Sequence, residues 1–268
     1  MNELVPTTPR VRTSASRLAA FGMPILGGLA AVAVWWLATI IFKIRSFLLP
    51  APPEVMASFT RLRSYLLEQT GVTLTETLLG FTVAAAAGLL IGVLIASSSL
   101  LERMFYPGLV ALNAVPKVAV APLFVAWVGY GVMPKVLIAL LLSFFPIVIS
   151  TAAGLMSMPK ELGELARSLD ASWLQTFIKI RFPNALPQIF VGLKVAMPLA
   201  IVGAVIGEFQ ASDSGLGFAI AQASGMGDTP QAFAAVALSA IMGIALFYLL
   251  VGIERLLLPW IRETTAAR

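Results

Sequence analysis

Six stretches of this chain are apolar over about the 20 residues that a helix needs to cross a bilayer. They run Gly22 to Phe42, Val72 to Ser97, Met104 to Val128, Pro134 to Leu155, Gln188 to Phe209 and Ala232 to Ile253. The expected fold is therefore an all-α membrane protein of six transmembrane helices. Only 12% of the 268 residues are charged and 59% are hydrophobic, whereas soluble domains carry roughly 25% charged residues. Most of the surface must face something other than water.

The same composition excludes several chemistries. With no Cys there is no disulfide, thiolate metal site or thiol nucleophile. With no His the commonest general base and metal ligand is missing. No cofactor or metal is expected. The net charge of +5 would suit nucleic acid, but juxtamembrane Lys and Arg facing a cytoplasm and an anionic leaflet explain it more simply.

Residues 1–17, rich in Pro, Thr and Arg, are expected to form a disordered cytoplasmic tail. The apolar stretch from Leu18 is too long for a signal-peptide core and reads as a retained span. The membrane-spanning body then covers residues 18–260, with a short tail at 261–268. Residues 43–70 join the first two spans through Leu49-Pro50-Ala51-Pro52-Pro53 and an amphipathic helix from Glu54 to Glu68. A cytoplasmic N-terminus places twelve of the 18 Lys and Arg on the cytoplasmic side and five outside, Lys135 among the five. Both termini then lie inside.

Pro116 and Pro122 fall in the third span, Pro146 in the fourth and Pro198 in the fifth. Each removes a backbone hydrogen bond and kinks its helix, either shaping the packing or opening onto a path. Gly88 with Gly92, and Gly203 with Gly207, have the spacing that lets helices approach closely. They read as packing sites, with contact between two copies the lesser alternative.

Between the fourth and fifth spans lies a polar stretch, residues 158–187. It reads Glu164-Leu165-Ala166, three residues, Asp170, nine residues, then Ile180-Arg181-Phe182-Pro183. Leu162, Leu165, Ala166 and Leu169 share one face of a helix that Pro159 can start. A second helix from about Ser172 carries Trp173, Phe177 and Ile180 in a stripe; Pro183 is expected to end it and Pro187 to begin the fifth span. Amphipathicity alone also fits a loop lying on the membrane surface.

The spacing of this stretch resembles the EAA loop of ABC-importer permeases: Glu-Ala-Ala, three residues, Gly, nine residues, Ile, any residue, Leu-Pro. Glu164, Ala166, Ile180 and Pro183 match, while Leu165, Asp170 and Phe182 depart from it. The pattern has Gly where this chain has Asp170, because the chain turns there with a positive φ; Asp tolerates that conformation and can also cap the next helix. The likeness extends from Phe47 to Trp260. It includes Phe47-Leu48-Leu49-Pro50 with Pro53, Thr75-Glu76-Thr77-Leu78-Leu79-Gly80-Phe81, Pro116-Lys117, Pro122-Leu123-Phe124 with Trp127 and Gly129, Asn184-Ala185-Leu186-Pro187, Gly207-Glu208-Phe209 and Gly215-Leu216-Gly217. The chain thus resembles the nitrate/sulfonate/taurine permeases, the binding-protein-dependent transport inner-membrane component family; pyrimidine-precursor and riboflavin permeases look similar.

This resemblance implies a type I ABC importer permease fold in a bacterial inner membrane. It also implies a second copy of the chain, two ABC ATPase subunits and an extracytoplasmic substrate-binding protein. Glu164, Leu165, Ala166, Asp170, Trp173, Phe177, Ile180 and Pro183 become the residues that couple to the ATPase. The chain itself has no Gly-x4-Gly-Lys-Ser/Thr phosphate loop. Gly215-x-Gly217 and Gly225-x-Gly227 read as turn glycines.

Ionisable residues within spans call for a reason. Glu76 and Glu208 stand near span ends, where water can reach them, and Lys117 lies deeper, after Pro116. Lys117 either snorkels or pairs with one of the carboxylates. Asn113, Lys117 and Glu208 are the expected lining of the path or its outer gate, with a Lys117–Glu208 ion pair as one arrangement. A secondary transporter driven by an ion gradient is the alternative, but clear discontinuous helices and mid-depth ion-coordinating clusters are missing. A membrane enzyme fits worse, for want of His, Cys or a tight carboxylate cluster.

Overall fold

The computed structural model of the protein describes residues 14–259. The remaining residues, which hold most of the expected N-terminal tail and the tail at 261–268, lie outside that range. Helices α1 (Ser14–Ile41), α2 (Pro52–Arg61), α3 (Arg63–Ser97), α4 (Ser99–Asn113), α5 (Ala121–Val128), α6 (Val132–Met156), α7 (Lys160–Ser168), α8 (Trp173–Thr176), α9 (Phe182–Ala211), α10 (Leu216–Met226) and α11 (Thr229–Leu257) follow in order. No strand occurs among the described residues.

Four helical stretches are long and apolar enough to cross a membrane: Arg63–Ser97, Val132–Met156, Trp173–Gln210 and Thr229–Leu257. The pair Ser99–Asn113 and Lys117–Val128 makes a fifth if the two are one broken span. Helix α1 covers the first expected span.

Helix α6 is the axis of the bundle, flanked by α3 and α9. Small residues allow this. A Cβ on Gly92 of α3 would stand 2.6 Å from the Thr151 Cβ of α6, and one on Gly203 of α9 would stand 2.6 Å from the Ala139 Cα. Gly88 meets Ile147 and Gly207 meets Lys135. Both small-residue pairs are therefore spent within the chain, against the two sides of α6. Where lipid removes the hydrophobic drive, such close backbone approach supplies the dispersion that holds helices together. Ala84, Ala139, Ile147, Ala196, Ala200 and Ala204 are fully buried between these three helices.

Three expectations need correction. The third span, Met104 to Val128, is not one helix: it bends by 84° between Asn113 and Lys117. Pro116 cannot donate an N–H and pushes Val115 off the helical region, so the chain resumes only as a 3₁₀ turn, Lys117–Val120. Pro122, by contrast, sits in the first turn of α5, where proline is tolerated. Pro146, Pro187 and Pro198 are carried inside helices without ending them.

The second correction concerns the amphipathic segment. It stops at Arg61, and α3 starts at Arg63, well before the expected Val72. The Glu54 carboxylate reaches back to the Ala51 N–H (3.0 Å) and fixes the start of α2. Helix α3 rises about 52 Å at 1.5 Å per residue, so its first turns stand clear of a hydrocarbon core of about 30 Å. There they pack with α2, α10 and α11 around Val55, Leu66, Leu216, Ala219, Ala234 and Ala235. Arg61 and Asp228 pair at 2.8 Å across this end.

The third correction is that the fifth span does not begin at Pro187. It is continuous with the second helix of the polar loop, through a π turn at Phe177–Arg181.

Candidate coupling loop and intramembrane polar groups

The polar loop is built as a tied pair of short helices. In α7 the face predicted to be shared by Leu162, Leu165, Ala166 and Leu169 divides. Ala166 is buried, but Leu165 (53% exposed) and Leu169 (71%) point outward with Glu164. The helix ends in a Schellman motif: Ala171 N–H donates to the Ala166 carbonyl (3.0 Å) and Asp170 N–H to that of Arg167 (3.1 Å). Asp170 takes the left-handed position with φ +49°, so the departure from glycine keeps glycine's conformation.

The cap of the next helix is not Asp170, as the sequence suggested, but Ser172. Its Oγ accepts Gln175 N–H (3.3 Å), and the Gln175 side chain accepts Ser172 N–H (3.0 Å), a reciprocal capping box. Trp173 then stacks on Phe177 with ring centroids 5.4 Å apart. The expected stripe is uneven, with Trp173 exposed and Phe177 and Ile180 half-buried. Leu174 and Ile178 extend the exposed apolar surface.

Pro183 fails to end this helix because of the π turn. The Phe182 N–H donates five residues back, to Phe177. That wider turn makes room for a residue that cannot donate and would clash with the carbonyl four positions before it. Arg181 Nε donates to the Leu155 carbonyl at 2.8 Å, so the loop is tied to the end of α6 as well as to α9.

A second polar region lies within the bundle at the opposite end. Glu76 (α3) and Glu208 (α9) are each 1% exposed, not at a watery interface. Glu76 forms an ion pair with Lys135 of α6, which is 3% exposed and not in an external loop. Lys135 Nζ also donates to Ser212 Oγ (2.9 Å). Glu208 accepts the Thr73 hydroxyl (2.7 Å) and the Gly217 N–H (2.6 Å). Gln69 Oε1 accepts Gly215 N–H and Thr73 Oγ1 accepts Leu216 N–H (2.8 Å). Three successive donors at the start of α10, which helix geometry leaves without intrahelical partners, are thus captured by side chains of α3 and α9.

Gly215, at φ +99°, permits this: a Cβ would land on the Glu208 carboxylate. Gly227 also turns the chain with positive φ. Gln69 and Thr73 were not singled out in the sequence, and Lys135 was counted among the external basic residues. The available signal was Gln69-x3-Thr73-x2-Glu76-Thr77, a polar stripe on one face of an otherwise apolar helix.

The remaining predicted residues meet each other elsewhere. Lys117 does not pair with Glu208. Its ammonium bonds the Asn113 carbonyl (2.7 Å) and Asn113 Oδ1 (2.9 Å) across the α4–α5 break, and lies 4.9 Å from the Phe145 ring centroid.

Residues 88–263 match the family model described as "Binding-protein-dependent transport system inner membrane component". The chain belongs to that family. It is 38% identical to the riboflavin transport system permease protein RibX of Chloroflexus aurantiacus, over 97% of this chain and 99% of that one. It is 33% identical to the formylaminopyrimidine transport permease protein ThiX of Halalkalibacterium halodurans, over 88% and 95%. It is 32% identical to the putative aliphatic sulfonates transport permease protein SsuC of Bacillus subtilis, over 85% and 84%. Among solved structures, a chain of the MetNI methionine ABC transporter superposes with a TM-score of 0.60 at 20% identity, covering 74% of this chain and 97% of that one. The family member is therefore a multi-pass permease component of a binding-protein-dependent ABC importer, with the type I permease fold. The gradient-driven alternative gives way to this assignment.

Proposed function

We propose that the chain is the non-catalytic half of a solute path, worked from outside itself. Two copies enclose the path. Two ABC ATPase subunits grip the 158–187 loops and hydrolyse ATP, and an extracytoplasmic binding protein delivers the solute at the opposite end. The loop and both termini face the cytoplasm of a bacterial inner membrane. The cargo is a small organic or inorganic solute: a sulfonate, taurine, a pyrimidine precursor or a riboflavin-like compound, as in the relatives' names, or nitrate.

The observation that carries this reading is the exposed apolar ridge of Leu165, Leu169, Trp173 and Leu174 on a helix pair anchored at both ends. Exposed aromatic and aliphatic anchors on a rigid support are what a partner's groove takes. Glu164, on the same outward side, supplies the polar rim.

Co-expression with the candidate ATPase tests it. The wild-type chain is expected to retain the ATPase through purification, and Glu164→Lys to lose it together with uptake. Undiminished association and uptake in that variant overturn the docking role. Uptake that persists when the partner's ATP hydrolysis is abolished overturns the importer reading.

A further inference from the structure

The clasp that starts α10 encloses more acid than base. Glu76 of α3, Lys135 of α6 and Glu208 of α9 are all buried there, one ammonium set against two carboxyls. The neighbouring elements bring no further charge to the spot. Helix α10 has no titratable residue, and those of α11 begin only at Tyr248. Lys194 of α9 is bonded to Glu254, Tyr65 donates to Gln222, and Glu68, Tyr130 and Asp213 are exposed. With both carboxyls ionised, one negative charge is left over away from water, where an unpaired charge does not persist.

The hydrogen bonds point the same way. Both Glu208 oxygens have donors, the Thr73 hydroxyl and the Gly217 N–H. Glu76 Oε1 meets Lys135, but Glu76 Oε2 is buried with no donor. The two carboxyl groups lie within hydrogen-bonding reach of each other, yet an ionised carboxylate only accepts. Oxygens that close leave no room for a metal ion between them, and no set of three metal-binding side chains occurs among the described residues. A cavity of about 530 Å³ lined by Lys135, Ser212, Asp213 and Ser214 gives solvent an approach. We propose that Glu76 and Glu208 bind one proton between them in the folded chain at neutral pH. The O–H forms on Glu76 Oε2 and donates to Glu208, so that Lys135 and Glu208 balance in charge. Glu208 keeps its negative charge for the Thr73 hydroxyl and the Gly217 N–H. Loss of the proton sets two like charges in contact and loosens the hold on α10. The clasp is a proton-dependent latch at the end of the bundle opposite the polar loop.

Infrared spectra of the purified full chain test this at the C=O stretch of a carboxylic acid. Spectra in H₂O and D₂O separate that band from lipid esters, which do not shift. At neutral pH an exposed Glu, with a pKa of about 4.3, adds nothing to it. The wild type is expected to show the band. Glu76→Gln and Glu208→Gln should each remove it, since the carboxylate left behind has Lys135 without a rival. Lys135→Met should roughly double it, because both carboxyls then lack a positive partner. The band should be the same in sodium chloride and in choline chloride. A Gln amide can accept from Lys135 and donate to Glu208 as the protonated acid does, so Glu76→Gln should melt with the wild type. No wild-type band, a band that survives either Gln variant, one that Lys135→Met leaves unchanged, one that sodium suppresses, or a Glu76→Gln protein melting far below the wild type each overturns the proposal. Should Glu208→Gln or Lys135→Met not fold, the wild-type and Glu76→Gln spectra decide it between them.

Discussion

Thr73 and Glu208, 135 residues apart in sequence, meet at 2.7 Å in a buried contact between α3 and α9. Each also accepts a main-chain N–H from the start of α10, Leu216 to Thr73 and Gly217 to Glu208. Replacing Glu208 by Ala strands the Gly217 N–H and leaves the Thr73 hydroxyl only the more distant Gln69 carbonyl at 3.3 Å, and a buried unpaired donor costs about 1–3 kcal/mol. Thermal unfolding of the purified protein should rank wild type above Thr73→Val and Thr73→Val above Glu208→Ala. A Glu208→Ala protein that melts with the wild type would show that the contact holds nothing.

Glu76 and Lys135 form a pair in which both side chains are at most 3% exposed. Removing one partner of a buried pair is costly, about 3–5 kcal/mol, because the other charge is left uncompensated. Lys135→Met should therefore destabilise more than Lys135→Met combined with Glu76→Gln. Equal losses in denaturation midpoints would contradict the pairing.

Asp170 holds a left-handed backbone position at φ +49°. Glycine accepts that conformation without penalty, and a β-branched residue pays roughly 1–2 kcal/mol. Asp170→Gly should keep the ATPase bound as well as the wild type does. Asp170→Val should lose the Schellman turn, seen as faster hydrogen exchange at Ala171 N–H, and release the ATPase more readily.

Arg181 fastens the loop to the Leu155 carbonyl at 2.8 Å. Arg181→Met should leave the exposed ridge able to dock while loosening its tie to α6. The expected outcome is near-normal ATPase association with several-fold less solute moved per ATP. Unchanged stoichiometry in reconstituted vesicles would remove this tie from the coupling.

The spans were legible in the sequence where hydropathy alone decides, as for α6 and α11, whose ends fall within a few residues of expectation. Asp170 was legible too, because a residue standing where glycine is usual must still make glycine's turn. The break at Asn113–Lys117 was not, since Met104 to Val128 stays apolar on both sides of it and one proline does not distinguish a kink from a stop. The run through Pro183 was hidden because the π turn that accommodates it follows from packing, with Arg181 held on Leu155. Lys135 was misplaced for a related reason. A lysine one turn inside a helix end looks like a surface residue until the tertiary fold sets Glu76 beside it.

The π turn at Phe177–Arg181 has a mechanical consequence. Because Trp173–Gln210 is one uninterrupted helical element, about 57 Å long at 1.5 Å per residue, the polar loop and the clasp around Gly215–Gly217 are two ends of a single strut. A tug on Trp173 need not be relayed through a chain of side-chain contacts: it arrives at Glu208 along the same covalent backbone, softened only where that one widened coil can flex.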